Sequence, residues 1–483
     1  MGFIHLDSCN MNVKLRKYQS ESVEKIRLAY GAKYRAPLLV LSTGSGKTVI
    51  FCAITERVKA KGNSVIILVH RQELLRQTSD HLQMLGVDHG IIAPGHTMTG
   101  SPVHIASVQT LVRRLSHISE PDLLIIDECH HAPAGSWRKI IDAWPNARVL
   151  GVTATPMRLD GKGLGVNSGG YFDSLIEGPD IRELIAGGYL AQPVVYRPPT
   201  DIDLRGLHMR GKDYDTKEQE SRINKATITG CVISHYKRIC PGVPAIAFCA
   251  TVKHAMDVAE MFNAAGIPAE SLDGSMSSSM RKHRIQSLAN GTIKVLTSCD
   301  IVSEGTDIPV VTTAILLRCT ASTGLYLQQV GRCLRPHDDK PHAIILDHVG
   351  NCFRHGMPDD KREWSLNGYI NGRKKTDKPA PVRVCQKCFA VFSVARLTCP
   401  QCGFTVSTKV KKITVSDGEL VLARPEDTEI ERQRLHMKRE QGMAKSLDDL
   451  LRIAEIRGYK RDWAYHIYNS RKIKEKREFA AAF

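Results

Sequence analysis

The sequence predicts an α/β protein: two consecutive domains on parallel sheets, then a small cysteine-bearing module and a basic helical tail. Three observations predict it. Short apolar runs alternate with longer amphipathic stretches, a glycine-rich loop follows the first run, and two C-x₂-C pairs lie far downstream. The runs PLLVLS (37–42), SVIILVH (64–70), HIASVQ (104–109), LLIID (123–127) and RVLGVT (148–153) are rich in Ile, Leu and Val. Such runs suit strands covered on both faces, as the helical crossovers of a parallel sheet require. The pattern restarts with AIAFCAT (245–251), IKVLTS (293–298), TTAILL (312–317) and HAIILD (342–347). The expected domains are therefore 1–190 and 191–370, with the module at 382–406 and the tail at 440–483. The stretch PPTDIDLRGLHMRGKDYDTKEQE (198–220) reads as polar and irregular, a surface insertion or an early decoration of the second domain, and NGRKKTDKPAP (371–381) as a basic linker.

Charge narrows the partner. The 483 residues carry a net charge of +17 and a pI near 9.3, an excess that points to a polyanionic partner, nucleic acid or an anionic membrane surface. No apolar run approaches the roughly 18 to 20 residues that span a bilayer. The start, MGFIHLDSCN, lacks the charged and apolar regions of a secretory signal. A cytoplasmic protein without a membrane partner is expected, and its fourteen cysteines then read as thiols or metal ligands rather than disulfides.

The loop LSTGSGKT (41–48) lies between a strand-like run and a helix-like one. Consecutive backbone N–H groups of Thr43, Gly44, Ser45 and Gly46, with the following helix N-terminus, would cradle phosphate oxygens. Lys47 would reach the β and γ phosphates of ATP, and Thr48 would hold Mg²⁺. The pattern departs at one place, with Leu41 where the first glycine of G-x-x-x-x-G-K-[ST] belongs.

Five potential metal ligands stand in a row at Asp127, Glu128, Cys129, His130 and His131. In an extended strand they would alternate between faces and could not converge on one ion. An acid ending an apolar strand instead fits the other half of an ATPase site. Asp127 would hold Mg²⁺ and Glu128 would polarise the attacking water.

GSGKT followed by DECH resembles the superfamily 2 helicases and translocases, whose motif order recurs across residues 13–336. The resemblance implies two tandem RecA-like domains. It implies that in LRKYQ (15–19) Arg16 stacks on adenine and Gln19 bonds its edge. GVTATP (151–156) is similar to motif III, with Thr153, Thr155 and His130 coupling nucleotide state to strand grip. SEGTDIP (303–309) resembles motif V, placing Gly305 and Asp307 near the ribose and γ-phosphate. QQVGRCLRP (328–336) matches motif VI, and on a helix Gln328, Arg332 and Arg335 would share one face. The two arginines would then be presented to ATP across the cleft between domains. VHRQEL, SVQTL, FCAT and LTS, through Arg71, Ser107, Gln109, Thr251 and Thr297, would track nucleic-acid phosphates without reading bases.

VCQKCFAVFSVARLTCPQCGF (384–404) holds Cys385, Cys388, Cys399 and Cys402. Four thiolates on two knuckles suit a tetrahedral, closed Zn²⁺ site with a structural role, with iron–sulfur ligation as the alternative. The core, this module and AEIRGYKRDWAYHIYNSRK (454–472) together resemble the RadD-type bacterial and phage DNA repair helicases. That resemblance implies a DNA motor of repair, recombination or fork processing, in the bacterial or phage-infected cytoplasm and near the nucleoid. A single-strand-binding or recombination protein is then an expected partner. An RNA helicase, an ATP-switched adaptor that does not unwind, or the motor subunit of a restriction complex, although no nuclease motif stands out, remains open at this point. Trp463, Tyr465 and Tyr468 would either stack on bases or form a small helical core.

Overall fold

The computed structural model describes residues 14–133, 135–158, 163–197, 206–210, 213–223, 226–299, 308, 310–337, 340–367, 381–406, 436–437, 439–444 and 446–481. The chain divides into a large unit, 1–407, and a small one, 408–483.

The first lobe of the large unit holds strands β1 (Pro37–Val40), β2 (Val65–Val69), β3 (Gly90–Ile92), β4 (Val103–Ser107), β5 (Leu123–Asp127), β6 (Arg148–Thr153) and β7 (Ser174–Glu177). They pair in parallel in the order β3-β4-β2-β5-β6-β1-β7. Helices α1 (Lys17–Gly31), α2 (Lys47–Lys59), α3 (Gln72–Met84), α4 (Val108–Arg114), α5 (Gly135–Ala143) and α6 (Ile181–Ala186) cover it. The apolar runs are strands because both of their faces are buried. Leu39, Ile67 and Ile125 enter one core, and their neighbours Leu38, Ile66 and Ile126 enter the core on the opposite face, the period-two alternation of a strand.

The second lobe holds β8 (Pro193–Tyr196), a small antiparallel ribbon β9 (Met209–Arg210) and β10 (Asp213–Tyr214), then β11 (Ala245–Phe248), β12 (Ala269–Leu272), β13 (Val295–Ser298), β14 (Thr313–Leu316) and β15 (Ala343–Asp347). Its six-stranded sheet is again parallel, in the order β12-β13-β11-β14-β15-β8. Helices α7 (Thr216–Ile223), α8 (Ala226–Ile239), α9 (Val252–Ala264), α10 (Ser278–Ala289), α11 (Thr323–Gly331) and α12 (Asn351–His355) accompany it. The expected α/β class with two parallel-sheet domains is what the chain adopts.

One expectation fails here. The end of the 198–220 stretch is not irregular, because α7 buries Gln219 and Ile223 completely. Gln219 Oε1 accepts from Cys319 N at 2.8 Å. A polar residue used as a core fastener escapes a reading based on hydropathy.

The lobes meet along the hinge, where Tyr18 of α1 shares a core with Leu190, Leu327 and Leu334. A strap after α12 then returns to the first lobe. Its Leu366 carbonyl accepts from Gly165 N at 2.8 Å, its Asn367 carbonyl from Ser168 Oγ at 3.0 Å, and Arg182 pairs with Asp359 and Asp360.

The cysteine module is a hairpin of β16 (Val382–Val384) and β17 (Val391–Ser393). It docks on the free edge of β8 through a Tyr196–Ala390 bridge and an Arg197 N–H donated to the Phe389 carbonyl at 3.0 Å. An edge strand is thereby covered rather than left to pair with another chain.

In the small unit, Ser446 caps α13 (Leu447–Ile456) in a capping box with Asp449. After the left-handed Gly458, α14 (Arg461–Ala481) packs back on it. Trp463 and Tyr468 join the core of this hairpin, whereas Tyr465 stays 47% exposed. The helical-core reading therefore holds for two of the three aromatics. Among the described residues no helix is long and apolar enough to cross a membrane.

Candidate active site

The loop after β1 turns because Gly44 and Gly46 adopt φ of +85° and +80°, a region open to glycine at little cost. Gly46 then caps α2, so Lys47 and Thr48 begin that helix beside its unpaired N–H groups. Tyr18 Oη donates to the Ser45 carbonyl at 2.6 Å, and Gln19 Nε2 to the same oxygen at 3.4 Å. The segment expected to read adenine thus also braces the phosphate loop. Arg16 is exposed, and its guanidinium lies 4.9 Å from the Tyr189 ring centroid.

Asp127 ends β5 and is 4% exposed. It accepts the Glu128 N–H at 3.0 Å. Glu128 sits at φ 48°, ψ 50°, a left-handed conformation uncommon for a residue with a side chain. The kink ends the strand, so the expected alternation past Asp127 is corrected: Cys129–His131 is a 3₁₀ turn. Cys129 is fully buried in the core under the sheet, and His131 stacks at 19° on Trp137. The DECHH run builds no metal cluster.

The kink also aims Glu128 at its neighbours. His130 Nδ1 lies 3.2 Å from Thr153 Oγ1 and 3.4 Å from Glu128 Oε2. Thr153 Oγ1 lies 3.3 Å from Glu128 Oε2 and 3.2 Å from the Thr155 carbonyl. A hydroxyl has one proton, so it donates to one or the other. A small change at Glu128 can therefore reach Thr155 through a single rotor. Thr155 in turn touches the second lobe, where a Cβ on Gly324 would lie 2.9 Å from its Oγ1.

Helix α11 presses on the phosphate loop. A Cβ on Gly331 would meet Thr43 at 2.6 Å, and one on Gly44 would meet Arg335 Cγ at 3.4 Å. The helix ends at Gly331, with Arg332 as its cap. This corrects the expected shared face of Gln328, Arg332 and Arg335. Gln328 lies on the helix, while Arg335 reaches the loop from a bend beyond it. Lys340 Nζ secures that bend by donating to the Arg335 carbonyl at 2.8 Å and the Val311 carbonyl at 2.6 Å.

The charges form one group. Burial lowers the Lys47 pKa, Glu128 and Asp127 oppose that, and Arg332 and Arg335 add to it. Desolvation pushes Arg335 down to about 10, so it is still charged at neutral pH. Two carboxylates from the first lobe and two guanidiniums from the second thus act on one partly buried ammonium. A neighbouring cavity of about 960 Å³ is lined by Tyr18, Thr43, Gly331 and Trp364 but not by Lys47, Asp127 or Glu128; it lies beside the chemical cluster rather than in it. Gly305 and Asp307 lie outside the described residues.

The expected strand contacts divide. Arg71 and Ser107 are the N-caps of α3 and α4, and Thr251 is the N-cap of α9. All three stand where a parallel strand delivers the chain to a helix, and Gln109 is exposed in the first turn of α4. The Thr251 hydroxyl is already committed to Glu220 Oε2 at 2.7 Å. Thr297 is corrected outright: it is 0% exposed and donates to the Ala255 carbonyl at 2.6 Å. Its side chain faces the core because a four-residue strand points alternate residues to opposite faces.

The second candidate centre is the module. Cys385, Cys388, Cys399 and Cys402 bring their sulfurs within 4.8 Å of one another. Each knuckle closes the same way. Phe389 and Gly403 follow the second cysteine at φ of 65° and 69°, and their N–H groups donate to the Cys385 and Cys399 carbonyls at 3.0 Å. Burial opposes the Cys385 thiolate, but the N–H groups of Cys388 and Lys387 together with the Cys402 and Cys388 thiols outweigh it and bring its pKa to about 7. Four converging sulfurs with amide donors fit Zn²⁺.

Residues 12–158 match the family model described as the type III restriction enzyme res subunit, and 231–337 that of the helicase conserved C-terminal domain. A 51.5 kDa protein of a Lactococcus phage is 33% identical over 80% of this chain and 82% of its own. The chain belongs to the superfamily 2 helicases. This helicase is also 30% identical to the candidate ATP-dependent helicase IRC3 of Saccharomyces cerevisiae, over 70% of its own length and 51% of the yeast protein. A fragment of a candidate HsdR subunit of a type I restriction enzyme from Vibrio vulnificus shares the fold, with a TM-score of 0.58 at 21% identity. The match covers 73% of the helicase and 67% of that fragment.

Sequence reasoning missed Tyr18 and Tyr189. Tyr18 stands beside Gln19, and its packing signal is the one that marks α1 as half-buried. Tyr189 sits in a Gly-Gly-Tyr hinge with no periodicity to mark it.

Proposed function

We propose that this helicase is an ATP-driven translocase on DNA, of the RadD type, working in repair, recombination or fork processing. The observation that carries the proposal is the charge group at Lys47, assembled from both lobes. Arg332 and Arg335 act on that ammonium from the second lobe, and Arg335 rests against Gly44.

The roles follow from position. The loop amides and Lys47 bind the ATP phosphates. Thr48 and Asp127 would hold Mg²⁺, which when bound neutralises charge on the phosphates. Glu128 orients the attacking water and takes its proton. Arg332 and Arg335 offset charge on the transferred group, an effect of roughly 10³ to 10⁵ in rate where such arginines act. Loss of the γ-phosphate removes what the arginines and Lys47 share, so the lobes repel and part. Repeated closure and opening over phosphate-contacting residues is translocation. Arg16 and Gln19 select adenine.

DNA is favoured over RNA because the family matched over the first lobe carries a restriction-enzyme name. The net charge of +17 suits either polyanion. We place the protein in the cytoplasm, near the nucleoid, with Zn²⁺ in the module.

Steady-state ATPase titrated with single-stranded DNA, forked DNA and RNA tests the reading. Stimulation by DNA is expected. Stimulation by RNA alone would overturn the substrate, and equal turnover without any nucleic acid would overturn the motor.

A further inference from the structure

The bend that carries Arg335 is held at two consecutive carbonyls. The hinge fixes the first, the Ala191 N–H donating to the Leu334 carbonyl at 2.7 Å. A side chain fixes the second: Lys340 Nζ donates to the Arg335 carbonyl at 2.8 Å and to the Val311 carbonyl at 2.6 Å. The first bond is between backbone groups and indifferent to pH. The second depends on a lysine that is 7% exposed, and among the described residues no carboxylate acts on it.

Lysine is seldom buried unless it is paired, because removing an ammonium from water is costly. Here two carbonyl oxygens stand where a counter-ion would. A neutral donor could join the same two carbonyls at a lower desolvation cost. What the charge adds is strength, since a hydrogen bond from an ionised donor is roughly twice as strong as a neutral one.

The tie sets the direction in which the Arg335 side chain leaves the bend. That side chain runs to the phosphate loop, where a Cβ on Gly44 would meet Arg335 Cγ at 3.4 Å. Cys333, fully buried, anchors the start of the bend with its Sγ 3.2 Å from the Val330 carbonyl. Of the three anchors at 333, 334 and 335, only the last is made by a cation.

That cation sits where its charge can change. Desolvation brings Lys340 down to about 8, with Cys333 opposing the shift and Arg335 adding to it. Burial raises the Cys333 thiol to about 11, so it stays neutral there. The segment ahead of β14 brings Val310, Val311 and Thr312, none of which titrates, while His337 and His342 are exposed.

We infer that Lys340 is a positioning residue for ATP hydrolysis: as an ammonium it holds the main chain of Arg335 so that the guanidinium meets the γ-phosphate, and as a neutral amine it loosens that hold. The inference rests on the role given to Arg335 above. Turnover is full while Lys340 is charged and falls as rising pH removes its proton. The fall is partial, because a neutral amine still donates, only more weakly.

Steady-state ATPase of the full chain on saturating DNA, with kcat and KM read separately, tests this. Lys340→Met should lower kcat about 30-fold and change KM for ATP less than about threefold, because Arg335 acts on the group being transferred. In an Arg335→Ala background the same change should cost less than about twofold, since a residue acting only through Arg335 has nothing left to position. At saturating ATP the bound phosphates keep Lys47 charged, so wild-type kcat should fall about threefold from about pH 7 to about pH 9.5. Lys340→Arg keeps its proton throughout and should stay within about 1.5-fold over that range; its profile decides the matter if Lys340→Met does not fold. An equal alkaline fall in wild type and Lys340→Arg, no fall in wild type, or an undiminished loss on top of Arg335→Ala would overturn the inference while leaving the motor reading intact. Normal turnover in Arg335→Ala would sink the role of Arg335, and the inference with it.

Discussion

The two lobes arrange corresponding strands in the same order. In the first, β3-β4-β2-β5-β6 is followed by β1; in the second, β12-β13-β11-β14-β15 is followed by β8. Strand β1 thus has β8 as its topological counterpart, and the chain leaves each toward a different fate. After β1 two glycines with positive φ open a loop whose amides face outward. After β8 the Arg197 amide is taken by Phe389, and Tyr196 bridges Ala390 of the cysteine module. One strand end is left able to bind phosphate and the other is sealed by the cysteine hairpin. The sheet supplies the position, and five or six residues beyond it decide the chemistry.

Removing the loop side of that contrast should have the largest effect. Lys47→Ala and Glu128→Gln are each expected to lower ATP turnover at least about 10³-fold, with unchanged circular dichroism. Arg335→Ala should lose a similar factor although it lies on the other lobe, and normal turnover in it would break the claim that both lobes build one site.

The sealed end should respond in stability rather than chemistry. Chelation, or Cys399→Ser, should remove bound Zn²⁺ as seen by metal analysis. The second lobe should then melt about 5 °C lower, while fluorescent nucleotide still binds the isolated charge of the loop. An unchanged metal content in Cys399→Ser would refute the site.

Acid should find the second lobe first. Desolvation holds His254 and His355 at a pKa of about 4 and His348 at about 3, against about 6.5 in an unfolded chain. Between those values the unfolded chain binds more protons, so stability falls as pH drops from about 6.5 toward 4. In the first lobe burial lowers His104, which is only half covered. Limited proteolysis at pH 5 should therefore cut within 191–370 before 14–190, and the reverse order would contradict this asymmetry.

The smallest effect concerns Thr297. Thr297→Val keeps the shape and removes the bond to the Ala255 carbonyl, costing about 1 kcal/mol. Oligo-dT affinity should stay within about twofold. A large loss would reinstate Thr297 as a strand contact and cancel the correction made above.

Much of this was readable along the chain. Fully apolar runs of four to six residues identify buried parallel strands, because only a strand with both faces covered can dispense with polar residues. GSGKT is legible because its glycines and lysine are contiguous, and so are the C-x₂-C pairs. Motif VI was less so: its spacing suggested a helical face, but the helix ends at Gly331 and Arg335 arrives from a bend. Thr297 misled for a similar reason, since a hydroxyl at a strand end reads as exposed until a helix is packed on it. Gln219, buried and polar, has no pattern at all.

Local chemistry was therefore settled by short-range order: which loop can hold phosphate, which cysteines can share a metal, which acid ends a strand. Packing decided the rest. That Glu128 turns left-handed toward His130 and Thr153, and that Arg335 rests on Gly44, both depend on segments far apart in the chain. Such meetings are determined by the docking of two lobes, a sum of many weak contacts in which no single stretch of residues carries the answer.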